Sequence, residues 1–135
     1  MDIPDPSGAK RLENNLMRLY WGMRLGIALI WIWTAIVSWF LYPQAESLDW
    51  LGRLGFTEQG HLLLAAGCLV DMAMGMAAGV FARRRIWQLQ FAIVTCYSLV
   101  IAIGLPEFLI HPFGPISKNL AVLGCLAYLA MVEKR

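Results

Sequence analysis

Asp71 stands inside an apolar run that extends from His61 to Ala82. A run of that length is enough to cross a membrane, which takes about 20 mostly apolar residues. A charge at the centre of such a helix costs roughly 2.5–3.5 kcal/mol on insertion scales, so the carboxylate must be partnered or protonated. Arg24, about one turn inside another apolar run, is the nearest candidate counter-charge. At 1.5 Å per residue, Asp71 lies roughly 15 Å below one membrane surface and Arg24 roughly 6 Å above the other. Two arrangements stay open. Either Arg24 and Asp71 pair or share a small hydrated cavity, or Arg24 snorkels to the headgroups while a neutral Asp71 bonds to a neighbour.

Further polar groups share helical faces in two other apolar runs. Gln90, Val94, Tyr97 and Ile101 fall on one side of the third, and Lys118, Ala121, Cys125 and Tyr128 follow helical spacing in the fourth. The connection before the fourth run holds Glu107, His111 and three prolines, and Lys118 and Asn119 follow it. The prolines forbid a regular helix across this loop, which is expected to dip back and gather Glu107, His111 and Lys118. His61 is a further candidate neighbour. A histidine with a carboxylate can move protons or bind a metal, but two histidines without fixed spacing make no metal site. A hydrogen-bonded cap over the mouth of the bundle is the better expectation. Cys68, Cys96 and Cys125 are far apart in apolar runs and read as small core residues. Met72, Met74 and Met76, two apart on a helix, point to different faces and cannot converge on one ion.

The elements that must position these groups follow from composition. Of 135 residues, 59% are hydrophobic and 15% charged, where a soluble domain carries about a quarter charged residues. A surface so poor in charge faces lipid, and a net charge of +2 offers nothing to nucleic acid. The expected fold is an all-α membrane protein, a single four-transmembrane-helix bundle over residues 1–135 with spans at Trp21–Tyr42, His61–Ala82, Ile86–Leu105 and Ile116–Val132. Basic residues cluster at Lys10, Arg11 and Arg18, at Arg83, Arg84 and Arg85, and at Lys134 and Arg135. With four spans all three clusters fall on one side, and the excess of Lys and Arg marks that side as cytoplasmic. Both termini are therefore expected inside, with residues 1–20 a cytoplasmic juxtamembrane segment and the first span an uncleaved insertion signal.

Shorter features refine this picture. The first outer loop is expected to hold a short interfacial helix, capped by Ser47, carrying Leu48, Trp50, Leu51 and Leu54, and ended by Gly55. Trp21, Trp39, Tyr42 and Trp87 lie near span ends, where amphipathic rings favour the headgroup level. Small residues at fourfold spacing, Gly67, Gly75 and Gly79 around Asp71, and Gly22 with Gly26, suit close helix packing within the chain, or secondarily between copies.

His111-Pro112-Phe113-Gly114-Pro115, followed by Lys118-Asn119, resembles the signature of the small DoxX-like membrane proteins. The resemblance extends to Arg24, Asp71, Gly75, Tyr97 and Pro106, and covers the chain from about Arg18 to its end. It implies a multi-pass protein of the bacterial inner membrane, in a group associated with quinone-linked oxidoreductases and redox complexes. The motifs of electron carriers are missing from the sequence: there is no Cys-x-x-Cys, haem-attachment motif, glycine-rich nucleotide loop or di-iron pattern. The chain is thus expected to have no intrinsic cofactor, and any redox role must borrow membrane quinone or a partner's carrier.

Three functions follow as expectations. First comes an accessory or anchoring subunit of a redox-linked membrane complex, meeting other membrane subunits or its own copies. The alternative is a quinone- or lipid-binding protein or enzyme whose site draws on Arg24, Asp71, Tyr97, Glu107, His111, Lys118 and Asn119. A small transporter ranks last, because four short helices enclose a thin pore.

Overall fold

The computed structural model describes residues 6–111 and 114–133. Pro112 and Phe113 of the loop motif, and Lys134 and Arg135 of the basic tail, lie outside the described residues.

Among the described residues, four helices are long and apolar enough to cross a membrane. The first, α1, runs over Pro6–Ile36 and ends in one π-helical turn, Val37–Leu41, closed by the Tyr42 N–H on the Val37 carbonyl at 2.8 Å. Pro43 stops it, since the residue before a proline is driven out of helical geometry, and Tyr42 is indeed extended. The second membrane-crossing helix is α3 (Gly60–Val80), the third α4 (Arg84–Gly104) and the fourth α6 (Pro115–Val132). Pro115 sits in the first turn of α6, where its missing N–H has no partner to lose.

Two short helices lie in the connections. α2 (Gln44–Arg53) follows Pro43, and α5 (Glu107–Ile110) is a single turn after Pro106. α2 begins before Ser47, which sits inside it and caps nothing, because Pro43 already breaks the chain there. Its other end is as expected. Gly55 adopts φ +96, the Gly55 N–H bonds to the Gly52 carbonyl at 2.9 Å and the Phe56 N–H to the Leu51 carbonyl at 2.9 Å. That pair of bonds is the Schellman closure a left-handed glycine permits.

The helices associate as two pairs, α1 along α3 and α4 along α6, with α1 also touching α6. α3 and α4 touch much less, although only a short turn joins them. At α1–α3 the helices approach most closely at Gly75, where an added Cβ would lie 2.5 Å from Ile32 Cγ1 and 3.1 Å from the Ala28 carbonyl oxygen. A Cβ added at Gly22, Gly26, Gly67 or Gly79 would meet nothing within 4 Å, so of the expected set Gly75 alone sits where the helices leave no room for a side chain.

The packed core is confined to one half of the bundle. Ile27, Ala28, Trp31, Ala78, Trp87, Val94, Leu126 and Leu129 form it, all toward the end that carries Arg18 and the Arg83–Arg85 turn, here the basic end. Trp87 is fully buried and donates its indole N–H to Glu133 at 3.2 Å, so it is a core residue and not a headgroup anchor. On α6 the core-facing residues are Leu126 and Leu129, while Lys118 and Ala121 are exposed. The face expected from Lys118, Ala121, Cys125 and Tyr128 is therefore rotated from the true one. Leucine, valine and isoleucine side chains such as Leu29, Leu62, Leu69, Val80, Ile103 and Leu120 stand exposed around the outside, as a bilayer requires.

Candidate functional site

Packing fails in the other half, and a cavity of about 750 Å³ opens there. α3 supplies one wall through Leu63, Leu64, Gly67, Cys68 and Asp71, and α4 faces it through Cys96, Tyr97, Val100 and Ile101. Trp50, Leu51 and Leu54 of α2 and Phe108 of α5 form the roof. By helical rise, Cys68, Cys96 and Tyr97 lie roughly 10–12 Å in from the α2 end and Asp71 roughly one turn deeper. The cavity is open, since Tyr97 is still 39% and Val100 43% exposed. Nearly every lining group is apolar. The few polar ones are Ser38 and Ser47 near α2 and, deeper, Tyr97 and Asp71.

Asp71 closes the cavity floor where the core begins. It is 7% exposed, and its Oδ1 has no hydrogen-bond partner. Arg24 does not supply one. Arg24, also buried, donates from Nε to the Ala78 carbonyl at 2.8 Å and from Nη2 to the Gly79 carbonyl at 2.7 Å. Its guanidinium also lies 4.7 Å from the centre of the Trp21 ring. The last carbonyls of a helix have no partner of their own and carry partial negative charge, so a buried cation is well placed against them. Of the two arrangements open from the sequence, neither is adopted: Arg24 neither pairs with Asp71 nor reaches out to the headgroups, and Asp71 Oδ1 bonds to no neighbour.

Below the floor, Gln90 ties three helices together. It is fully buried, accepts from Trp31 Nε1 at 2.9 Å and donates to the Met74 carbonyl at 3.0 Å. These bonds seal the core beneath Asp71 and fix where the cavity stops.

The roof is latched from outside. Arg53 of α2 and Glu107 of α5 form an ion pair at 2.5 Å, about half exposed on each side. Beside it Trp50 and Phe108 pack edge to face with ring centres 5.3 Å apart. Glu107's own backbone N–H, and then the Arg53 guanidinium, hold its carboxyl below the usual range. Gly104 of α4 lies so close to Leu54 of α2 that a Cβ would strike the leucine side chain.

Of the residues expected to form a site, Asp71 and Tyr97 meet in the cavity. Arg24 belongs to the basic end and Glu107 to the outer latch. His111 and Lys118 are exposed, and Asn119 donates to Ser98 Oγ at 2.9 Å. The gathering of Glu107, His111 and Lys118 around one point is not what fixes Glu107, whose ion-pair partner is Arg53. Among the described residues, no group of three or more His, Cys, Asp or Glu side chains is placed to hold a metal. Cys68 and Cys96, expected as small core residues, instead line the cavity, Cys96 exposed, and Trp50 and Phe108 line it without having been expected at a site. The signal was present for one of them: Cys68 precedes Asp71 by three residues and so shares its face.

The sequence model of the DoxX-like family matches residues 28–127, which span both walls of the cavity and its roof. The chain belongs to the DoxX-like family. No curated protein and no solved structure matches it well enough to add a comparison. This DoxX-like protein is thus a small integral membrane protein with four membrane-crossing helices. Arg24 lies before the matched segment, whereas Asp71, Gly75, Tyr97 and Pro106 lie within it.

Proposed function

We propose that this DoxX-like protein binds a lipophilic molecule of the quinone or lipid class in the cavity between α3 and α4. The observation that carries this is a mostly apolar volume of about 750 Å³ whose few polar lining groups include Asp71 and Tyr97, set in from the α2 end. Ligand sites commonly have this form, a largely apolar enclosure of about 300–1,000 Å³ with a few placed polar groups. A quinone or lipid fits because its body matches Leu63, Leu64, Val100 and Ile101 while its head reaches Tyr97 and Asp71. Addition of a short-chain quinone analogue, or of a bilayer phospholipid, to delipidated protein should raise the melting temperature. The rise should shrink in Asp71→Asn and Tyr97→Phe. No shift with any member of either class rejects the proposal.

A second reading, that the chain is an accessory subunit of a redox-linked membrane complex, draws on a different feature. α1 has 31 residues against 21 in α3 and in α4, and it runs past the bundle at the basic end. Leu12, Leu16 and Leu19 are exposed on that extension at the spacing of one helix face, which suits a partner helix. Gentle-detergent purification followed by mass determination separates the readings, because a solitary monomer speaks against a subunit role.

Both readings set the protein in the bacterial inner membrane with its termini in the cytoplasm. Support comes from Arg18, Arg83, Arg84 and Arg85 lying at one end of the bundle, by the excess of basic residues on cytoplasmic faces.

A further inference from the structure

A carboxylate oxygen removed from water without a hydrogen bond costs free energy, and more when it is charged. Protein interiors rarely leave such a group alone. Asp71 is 7% exposed with Oδ1 unpartnered, and the residue forms part of the cavity wall. Neighbouring donors are directed elsewhere, and Tyr97, which lines the same cavity, makes no bond to Oδ1. Arg24 sends Nε and Nη2 to the carbonyls of Ala78 and Gly79. Gln90 Nε2 bonds to the Met74 carbonyl.

The geometry points to a ligand whose head is a hydrogen-bond donor, delivered to Asp71 from the cavity, on an apolar body. This deepens the proposed function, on which it rests. The argument holds for an ionised Asp71 and for a protonated one whose O–H is on Oδ2, because the unpartnered Oδ1 is then an acceptor. An ionised carboxylate is only an acceptor, and a protonated one still keeps acceptor capacity on its carbonyl oxygen. A donor satisfies both. An acceptor-only head, such as an ether or an unreduced quinone carbonyl, satisfies neither an ionised Asp71 nor the free oxygen of a protonated one. Two donor chemistries remain, a hydroxyl and a protonated amine. Around this head the cavity is apolar through Leu63, Leu64, Val100 and Ile101, which suits an alkyl or prenyl body and not a sugar or a nucleotide.

The test uses three probes of one chain length on the full protein in lipid nanodiscs: decanol, decylamine and decyl methyl ether. Melting temperature is followed as each is added. The expected result is a saturable rise with decanol, decylamine or both, and at least tenfold weaker apparent affinity for the ether. Decanol alone identifies a hydroxyl head and decylamine alone a cationic one. Equal shifts with all three overturn the donor inference but leave the lipophile site standing. No shift with any of them overturns the site as well. Asp71→Leu should reduce the alcohol and amine to the level of the ether. If that variant does not fold, the comparison among probes on the unaltered protein still decides.

Discussion

Arg24 and Asp71 are both buried on the paired helices α1 and α3, yet they form no ion pair. The Arg24 guanidinium is bound to the carbonyls of Ala78 and Gly79, about two helical turns along α3 from Asp71. One charge therefore closes the end of a helix in the packed half, and the other stands at the boundary with the cavity. Their roles should separate in measurement.

Arg24→Gln removes hydrogen bonds from a charged donor and should destabilise the fold by about 1.5–3 kcal/mol. Asp71→Asn should have an independent effect. In a double-mutant cycle read by unfolding in a denaturing detergent, the two should add to within about 0.5 kcal/mol, as distant sites do. A coupling well beyond that would mean the two side chains meet.

Gly75 should be the one intolerant glycine on the α1–α3 seam. A Cβ there meets Ile32 and the Ala28 carbonyl oxygen at 2.5 and 3.1 Å, and overpacking of this kind costs about 1–3 kcal/mol. Gly22→Ala, Gly26→Ala, Gly67→Ala and Gly79→Ala have open space and should leave monomer stability unchanged or slightly higher, since alanine favours helix. Unfolding midpoints of the five variants provide the comparison.

Removing the unpartnered carboxylate should help the empty protein and harm its function. Asp71→Leu, measured on delipidated material, should gain about 1–3 kcal/mol, the cost of a buried unsatisfied polar group. The same variant should lose ligand response. Such opposition between stability and function is usual at binding sites. A variant less stable than the parent would show that Asp71 has a structural partner.

Acid should loosen the roof. Glu107 has its folded pKa lowered by its backbone N–H and by Arg53, so its contribution is present above the ordinary carboxylate pKa and disappears as pH falls through the lowered value. Hydrogen exchange in α2 should therefore accelerate on acidification to below the ordinary carboxylate range. Glu107→Gln should show the faster exchange already at neutral pH and little further change. Because the pair is exposed, the effect should be small and weakened by salt. Exchange in α2 that is indifferent to both pH and the substitution would remove the latch from the account.

The fold was legible because lipid imposes simple demands. The runs read as His61–Ala82, Ile86–Leu105 and Ile116–Val132 differ from α3, α4 and α6 by at most two residues at any end, since apolar length alone sets them. α1 starts well before Trp21, at Pro6, because a polar, helix-favouring stretch can extend a helix beyond the bilayer. The partner of Arg24 was not legible. Backbone carbonyls are acceptors that every residue carries, so no side-chain pattern announces them. Trp87 misled for a related reason: an indole near a span end suits the interface, but Glu133 at the far end of the chain offered it an acceptor within the fold. Asp71 and Tyr97 were found because polar groups in apolar runs stand out. The cavity between them was not, since periodicity says which residues share a face and not how far away the opposing helix lies.

The lipophile-filled cavity is tested most directly by native mass spectrometry of protein extracted into nanodiscs with its own lipid. The account predicts one small apolar molecule retained per chain after bulk lipid is stripped, and its loss when the cavity is filled by Val100→Trp. A bare chain mass, or a retained molecule indifferent to that substitution, would contradict it.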